Sequence, residues 1–138
     1  MLEGLEALAP RLQHRAAVHR FSSHPGEIPH ILGEPGFVAA GISAAGAVGL
    51  DLVSGREADG YIRASTFDDF VAGHALSPAG SEAGNVTLRV VADDIWEIFL
   101  DDLPHAPEAV VAIDLSEDAD PRSSAAGKDL LGRLDRAR

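Results

Sequence analysis

The sequence predicts an α/β domain, with α+β as the alternative: a small sheet of about four strands with short flanking helices. Three observations carry that expectation. Runs of strand character at 16–22, 60–64, 85–91 and 109–115 alternate with stretches of helical periodicity. Clusters of Gly, Pro, Ser and Asp punctuate the joins. A length of 138 residues suits one domain, able to bury about two-thirds of the surface its unfolded chain exposes. Residues 1–138 are therefore read as one unit, with 1–35 as a connector plus the first strand.

Taken in order, Leu2, Leu5, Leu8 and Leu12 repeat at helical spacing, with Pro10 interrupting. The stretch 16–22, AAVHRFS, reads as a strand, and His24-Pro25-Gly26 as a turn. Residues 27–32 are expected to form one or two helical turns with Ile28, Ile31 and Leu32 inward. The segment 36–50 is small, apolar and nearly chargeless. Ser43 is placed to cap a short helix running to Val48, which Gly49 would end. Residues 51–60 form a polar connection, and 60–64 a short strand. A helix over 66–74 follows, capped by Ser65 or Thr66, with Asp68 and Asp69 in its first turn and His74 near its end.

Residues 77–84, SPAGSEAG, have the composition of a loop. In 85–91, NVTLRVV, Val86, Leu88 and Val90 alternate with Thr87 and Arg89, the pattern of a half-buried strand. Residues 93–100 set Ile95, Trp96, Phe99 and Leu100 on one helical face. The run 109–115 is apolar except for Asp114 and is expected as an inner strand. The acidic turn SEDADP comes next. Asp120 is a helix N-cap candidate, with Pro121 at the first helical position, where its missing N–H costs nothing. Ala125, Leu130, Leu131 and Leu134 are expected on the inward face of that closing helix.

Bulk composition removes several function classes. The absence of cysteine excludes disulfides, a thiol nucleophile and a Cys-based zinc site, and fits a cytoplasmic setting. No apolar run approaches the roughly 20 residues of a membrane span, and the N-terminus lacks the build of a signal peptide. The net charge of −11 is uneven: +1 over 1–24, −15 over 25–121 and +3 over 122–138. So acidic a middle repels nucleic-acid phosphate, and direct DNA or RNA binding is not expected. A solvated surface is the plain explanation of that charge; a basic partner is the sharper one.

Catalytic patterns are weak. GISAAG departs from a nucleophile elbow at Ala45, and Gly41, Gly46 and Gly49 match neither the dinucleotide fingerprint nor a phosphate loop. The spacings of His14, His19, His24 and His30 put no two consecutive members on one face. A triad can be written from Ser43, His74 or His105 and several acids, as in most chains of this length. Asp114, Glu117, Asp118 and Asp120 are the candidate catalytic set of a metal-dependent ribonuclease or phosphoesterase. Mg²⁺ or Mn²⁺ would then sit on oxygen ligands such as Asp114 and Asp118. A capped helix after an acidic turn explains Glu117, Asp118 and Asp120 without metal or cofactor. Asp114 has the plainer reading of a carboxylate satisfied by backbone N–H groups or an arginine such as Arg122. Tyr61, Phe67 and Trp96 could line a small-ligand sensor pocket, although aromatic stripes are core first.

An ordered set of short stretches carries a resemblance. It comprises Gly41-Ile42-Ser43-Ala44-Ala45 to Gly49-Leu50, Asp59-Gly60-Tyr61-Ile62, and His74-Ala75-Leu76 with Pro78. It continues with Asn85 to Val91, Asp93-Asp94 and Trp96, then Ala106-Pro107, Ala112-Ile113-Asp114-Leu115, Asp120-Pro121-Arg122 and Gly127-Lys128-Asp129-Leu130-Leu131. Over 36–134 the chain resembles the region that follows the winged helix in bacterial, especially actinobacterial, antitoxins of the AbiE type (type IV toxin–antitoxin systems) and related transcriptional regulators. The resemblance implies a non-catalytic effector domain working by protein–protein contact. Its partner would be encoded nearby: a nucleotidyltransferase-like toxin, or a helix-turn-helix protein. Homo-oligomers are compatible with it. The first 35 residues are too few for a winged helix, so the DNA-binding part is not expected in this chain.

Overall fold

The computed structural model describes residues 16–50, 52, 56–79 and 84–137. The expected helical repeat of Leu2 to Leu12 lies outside them, as does part of the loop at 77–84. The architecture is mixed α/β. Five strands form one sheet: β1 (Ala17–Ser22), β2 (Val38–Ala39), β3 (Ala58–Arg63), β4 (Ser77–Pro78) and β5 (Val86–Val91). Their spatial order is β2-β3-β5-β1-β4. β3 and β5 are parallel, and the other neighbours are antiparallel. Among the described residues, six α-helices flank the sheet: α1 (Ile28–Leu32), α2 (Gly41–Ala44), α3 (Phe67–Gly73), α4 (Asp93–Phe99), α5 (Glu108–Ser116) and α6 (Pro121–Arg136).

Period-two patterning of the two central strands builds a core on each side. Ala58, Ile62, Val86 and Leu88 face α1 and α3, meeting Ile28, Ile31, Phe37 and Phe70. Tyr61 and Val91 point the other way, among Val38, Ala44 and Ala45, Trp96 of α4, and Val110 and Leu115 of α5. Gly60 is required by the first core: a Cβ there would collide with the Phe37 ring.

One expected element changes type. The run 109–115 belongs to helix α5, not to an inner strand. A short apolar run does not distinguish a buried helix from an inner strand. Here Ala109, Val110, Val111, Ala112, Asp114 and Leu115 are all buried, because the sheet, α2 and α6 enclose the helix. The sheet gains its fourth and fifth strands from the two-residue pieces β2 and β4 instead. β2 is anchored in turn by the approach to α5, where Ala106 N–H donates to Ala39 O at 2.7 Å.

The closing helix begins as its sequence predicts. Asp120 caps α6 by accepting from Ser123 N–H, and Pro121 occupies the first turn. Its buried face differs from the expected one: Ser123, Gly127 and Leu130 are buried, Leu131 and Leu134 half-buried, and Ala125 exposed. Gly127 sets that face, because a Cβ there would overlap Ser116 N and crowd Ala112 O of α5. The two helices therefore pack backbone to backbone. Gly49 ends the 36–50 segment as expected, at φ +81°. Ser43 does not cap; it lies inside α2 and bonds to the sheet. No side chain caps α3 either. Asp93 of α4 accepts the Ser65 N–H at 3.0 Å; hydrogen bonding by the Ser65 side chain first and by its backbone second holds the carboxyl of Asp93 below its usual range, and Arg63 adds to that.

Candidate functional site: an acidic cleft over a buried carboxylate–arginine cluster

On the α5 side, helices cover β2, β3 and the near edge of β5, but not β1. Val18 and Arg20, which share that face with Arg89 and Thr87, are consequently exposed. The uncovered half-sheet is the floor of a cleft of about 650 Å³, formed by Val18 and Arg20 of β1, Asp59 of β3, and Thr87 and Arg89 of β5. The turn between α5 and α6 makes the wall, through Glu117, Asp118, Asp120 and Ser123. Glu57 stands at the mouth, its carboxyl raised by burial first and by nearby Asp118 second.

Strand register assembles the inner end. Tyr61 lies opposite Arg89, and Asp59 opposite Thr87. Arg89 reaches diagonally along this face to Asp59, donating from Nε to Oδ1 at 2.7 Å and from Nη2 to Oδ2 at 2.9 Å. Asp114 descends from α5 onto the same group. Its Oδ2 accepts from the Tyr61 hydroxyl at 2.8 Å, and its Oδ1 lies 3.4 Å from Arg89 Nη1. That last approach is close enough for charge attraction but makes no hydrogen bond, so Asp114 Oδ1 is a buried acceptor without a donor.

Each shift in protonation follows from this packing. Burial raises the Asp114 carboxyl to about 6, against the opposing pull of Arg89 and the Tyr61 bond. Burial, then the charge of Asp114, holds the Tyr61 phenol un-ionised well above its usual range. Burial opposes the charge on Arg89, but the paired bonds it donates to Asp59, with that carboxylate's charge, outweigh it and keep the guanidinium protonated. Two backbone features support Asp59. Its N–H donates to Ser43 Oγ at 2.9 Å, and Gly41, at φ +49°, passes so close that a Cβ would overlap its carboxylate.

The expected site residues divide accordingly. Asp114 faces the sheet and not Arg122; its partners are Arg89 and Tyr61. Asp118 Oδ1 accepts from Asp120 N–H at 2.8 Å, and Asp120 Oδ2 accepts from Ser123 N and Oγ. Asp114, Glu117, Asp118 and Asp120 thus share one cleft, but their oxygens do not converge on a point. Among the described residues, no group of three or more His, Asp or Glu is arranged to hold a metal ion. Asp114 Oδ2 is held by Tyr61, and Asp120 Oδ2 by the cap of α6.

The written triad does not assemble. Ser43 lies with α2, whereas His74 packs on Phe70 across the sheet, with Glu27 at 2.7 Å and Glu34 at 3.2 Å from its ring nitrogens. His105 turns its Nδ1 to Ala106 O. Tyr61 and Trp96 share one core and Phe67 packs on the other, so the three rings line no common pocket.

Sequence reasoning missed Asp59 and the role of Arg89. The available signal was period-two polarity: Asp59 with Tyr61, and Thr87 with Arg89, place polar side chains on one face of two otherwise apolar strands. Among the described residues, no helix is long and apolar enough to cross a membrane. Compared with protein-family models, curated proteins and solved structures, the chain matches none.

Proposed function

We propose that this domain is a non-catalytic interaction module of the antitoxin or transcriptional-regulator effector type, acting in the cytoplasm by protein–protein contact through its acidic cleft. The observation that carries the reading is the cleft itself. Helices leave half of one sheet face open, and the opening is walled by carboxylates, while the two innermost acids are engaged by Arg89. Asp59 and Asp114 read as scaffold, holding β3, β5 and α5 in register beneath a surface made for contact. The ordered resemblance over 36–134 supplies the partner class: a product of a neighbouring gene, either a nucleotidyltransferase-like toxin or a helix-turn-helix protein.

Co-expression with the neighbouring gene product tests the reading. The expected result is a complex that survives size-exclusion chromatography and alters the neighbour's activity. A chain that elutes alone and leaves that activity untouched would overturn it.

A further inference from the structure

On the side of the sheet away from the cleft, helix α1 is only five residues long, and a helix of that length has little stability of its own in water. Its buried Ile28 and Ile31 hold it to the core, and a second hold comes from a single imidazole. Glu27 stands immediately before α1, and Glu34 two residues after it. Both carboxylates turn to His74, just beyond the end of α3. Nδ1 lies 2.7 Å from Glu27 Oε1, and Nε2 lies 3.2 Å from Glu34 Oε1. We infer that His74 is a proton-operated clamp on α1. It grips both ends of the helix when the imidazole is charged and releases the Glu34 end when the imidazole is neutral.

Donor counting carries the inference. A carboxylate only accepts, and a neutral imidazole has one N–H and one bare nitrogen. Two simultaneous bonds therefore need one proton more than a neutral ring between two carboxylates provides. The ring cannot turn aside from this arrangement: its side chain is 9% exposed and packs on Phe70, with 4.6 Å between ring centroids. Taking the proton away sets a nitrogen lone pair against a carboxylate oxygen. The Glu34 contact is the one to give way, being the longer of the two and the more open to water, 44% exposed against 32% for Glu27.

The release has a defined reach. Glu34 O accepts from Phe37 N–H at 3.0 Å, and the Phe37 ring stacks on Phe70. Residues 33–37 thus form a strap from α1 to β2 across this core, and Glu34 fastens its middle. Glu27 and Glu34 are the charged groups facing the ring. On α3 itself, Asp68 and Asp69 occupy the first turn, at the far end from His74. Of the neighbouring histidines, His24 accepts from Gly26 N–H, His30 is exposed on α1, and His19 of β1 lies against Phe67.

The test uses the whole chain, isotopically labelled and taken from about pH 5 to about pH 8, the window in which histidines change charge. The His74 ring signals and the amide signals of Gly33, Glu34 and Phe37 should move with one midpoint. Protection of the Phe37 amide against hydrogen exchange, corrected for the intrinsic effect of pH, should fall about fivefold as His74 loses its proton. Glu34→Gln is the decisive variant. Its side-chain amide can accept from the charged ring or donate to the bare nitrogen, so the contact survives deprotonation. The pH response of 33–37 should then vanish with the fold retained, whereas His30→Gln should leave that response intact. Asp114 titrates in the same window but lies across the sheet, and the His74 ring signals tell the two apart. A strap indifferent to the titration of His74, an undiminished response in Glu34→Gln, or a response lost in His30→Gln would overturn the inference.

Discussion

Replacing Arg89 with methionine would leave Asp59 and Asp114 facing each other in the interior without their shared cation. Removing one partner of a buried ion pair typically costs about 3–5 kcal/mol, so Arg89→Met is expected to lose stability on that scale in urea unfolding. An unchanged midpoint would show that the cluster contributes no net stability. Asp114 makes a second, pH-dependent prediction. Its folded value of about 6 exceeds the ordinary 3.8, so the folded state holds a proton that the unfolded state has released between those values. Stability therefore falls as pH rises from about 4 to about 6 and is level above that, with up to about 3 kcal/mol at stake. Asp93, lowered by Ser65, contributes in the opposite sense at lower pH. The gap between wild type and Asp114→Asn should accordingly move in the variant's favour across that window; parallel curves would refute it. Asp114 stood out in the sequence as a lone carboxylate in an apolar run. Its partners did not, because they follow from the direction in which α5 faces, which a run of apolar residues leaves undetermined.

At the scale of elements, the α5–α6 hairpin depends on one missing methyl group. Gly127→Ala gains about 1 kcal/mol of intrinsic helix preference. It also forces a Cβ against Ser116 N and Ala112 O, backbone atoms that cannot turn aside. Overpacking of this kind costs about 2 kcal/mol or more, so the net effect should be a lower melting temperature. A rise would mean that the helices separate freely. The cleft should feel the same change, since its wall is the turn between these helices. Asp120-Pro121 at the start of α6, Gly49 at the end of the small-residue segment and the faces of β5 were legible in the sequence, whereas the caps expected from Ser43 and from Ser65 or Thr66 did not form. The burial of α5 was not, because a helix enclosed on all sides loses the one-sided periodicity that identifies helices. The two-residue strands β2 and β4 are too short to show a period at all.

For the whole molecule, charge is the dominant global property. A net −11 repels itself in the folded state, while the Asp59–Arg89–Asp114 cluster is buried and little screened. Raising NaCl from about 0.05 M to about 0.3 M should therefore raise the melting temperature, by about 3 °C. A fall would indicate that surface ion pairs such as Arg63 with Glu97 outweigh the repulsion. The α/β class was legible because helical and strand periods alternate along the chain. The strand order was not, since pairing between distant segments leaves no local mark.

That strand order has a consequence for how the protein is made. β1 lies between β5 and β4, paired with Val86 to Val90 on one side and with Ser77 and Pro78 on the other. On the ribosome it emerges before the other four strands, yet it has no neighbour until β4 has followed, and its longer partner β5 comes later still. Through that interval its backbone donors and acceptors stay open to any other extended chain. The strand that leaves the cleft uncovered in the finished protein is thus the one that waits longest during synthesis, and a chaperone acting on this chain has most reason to hold it there.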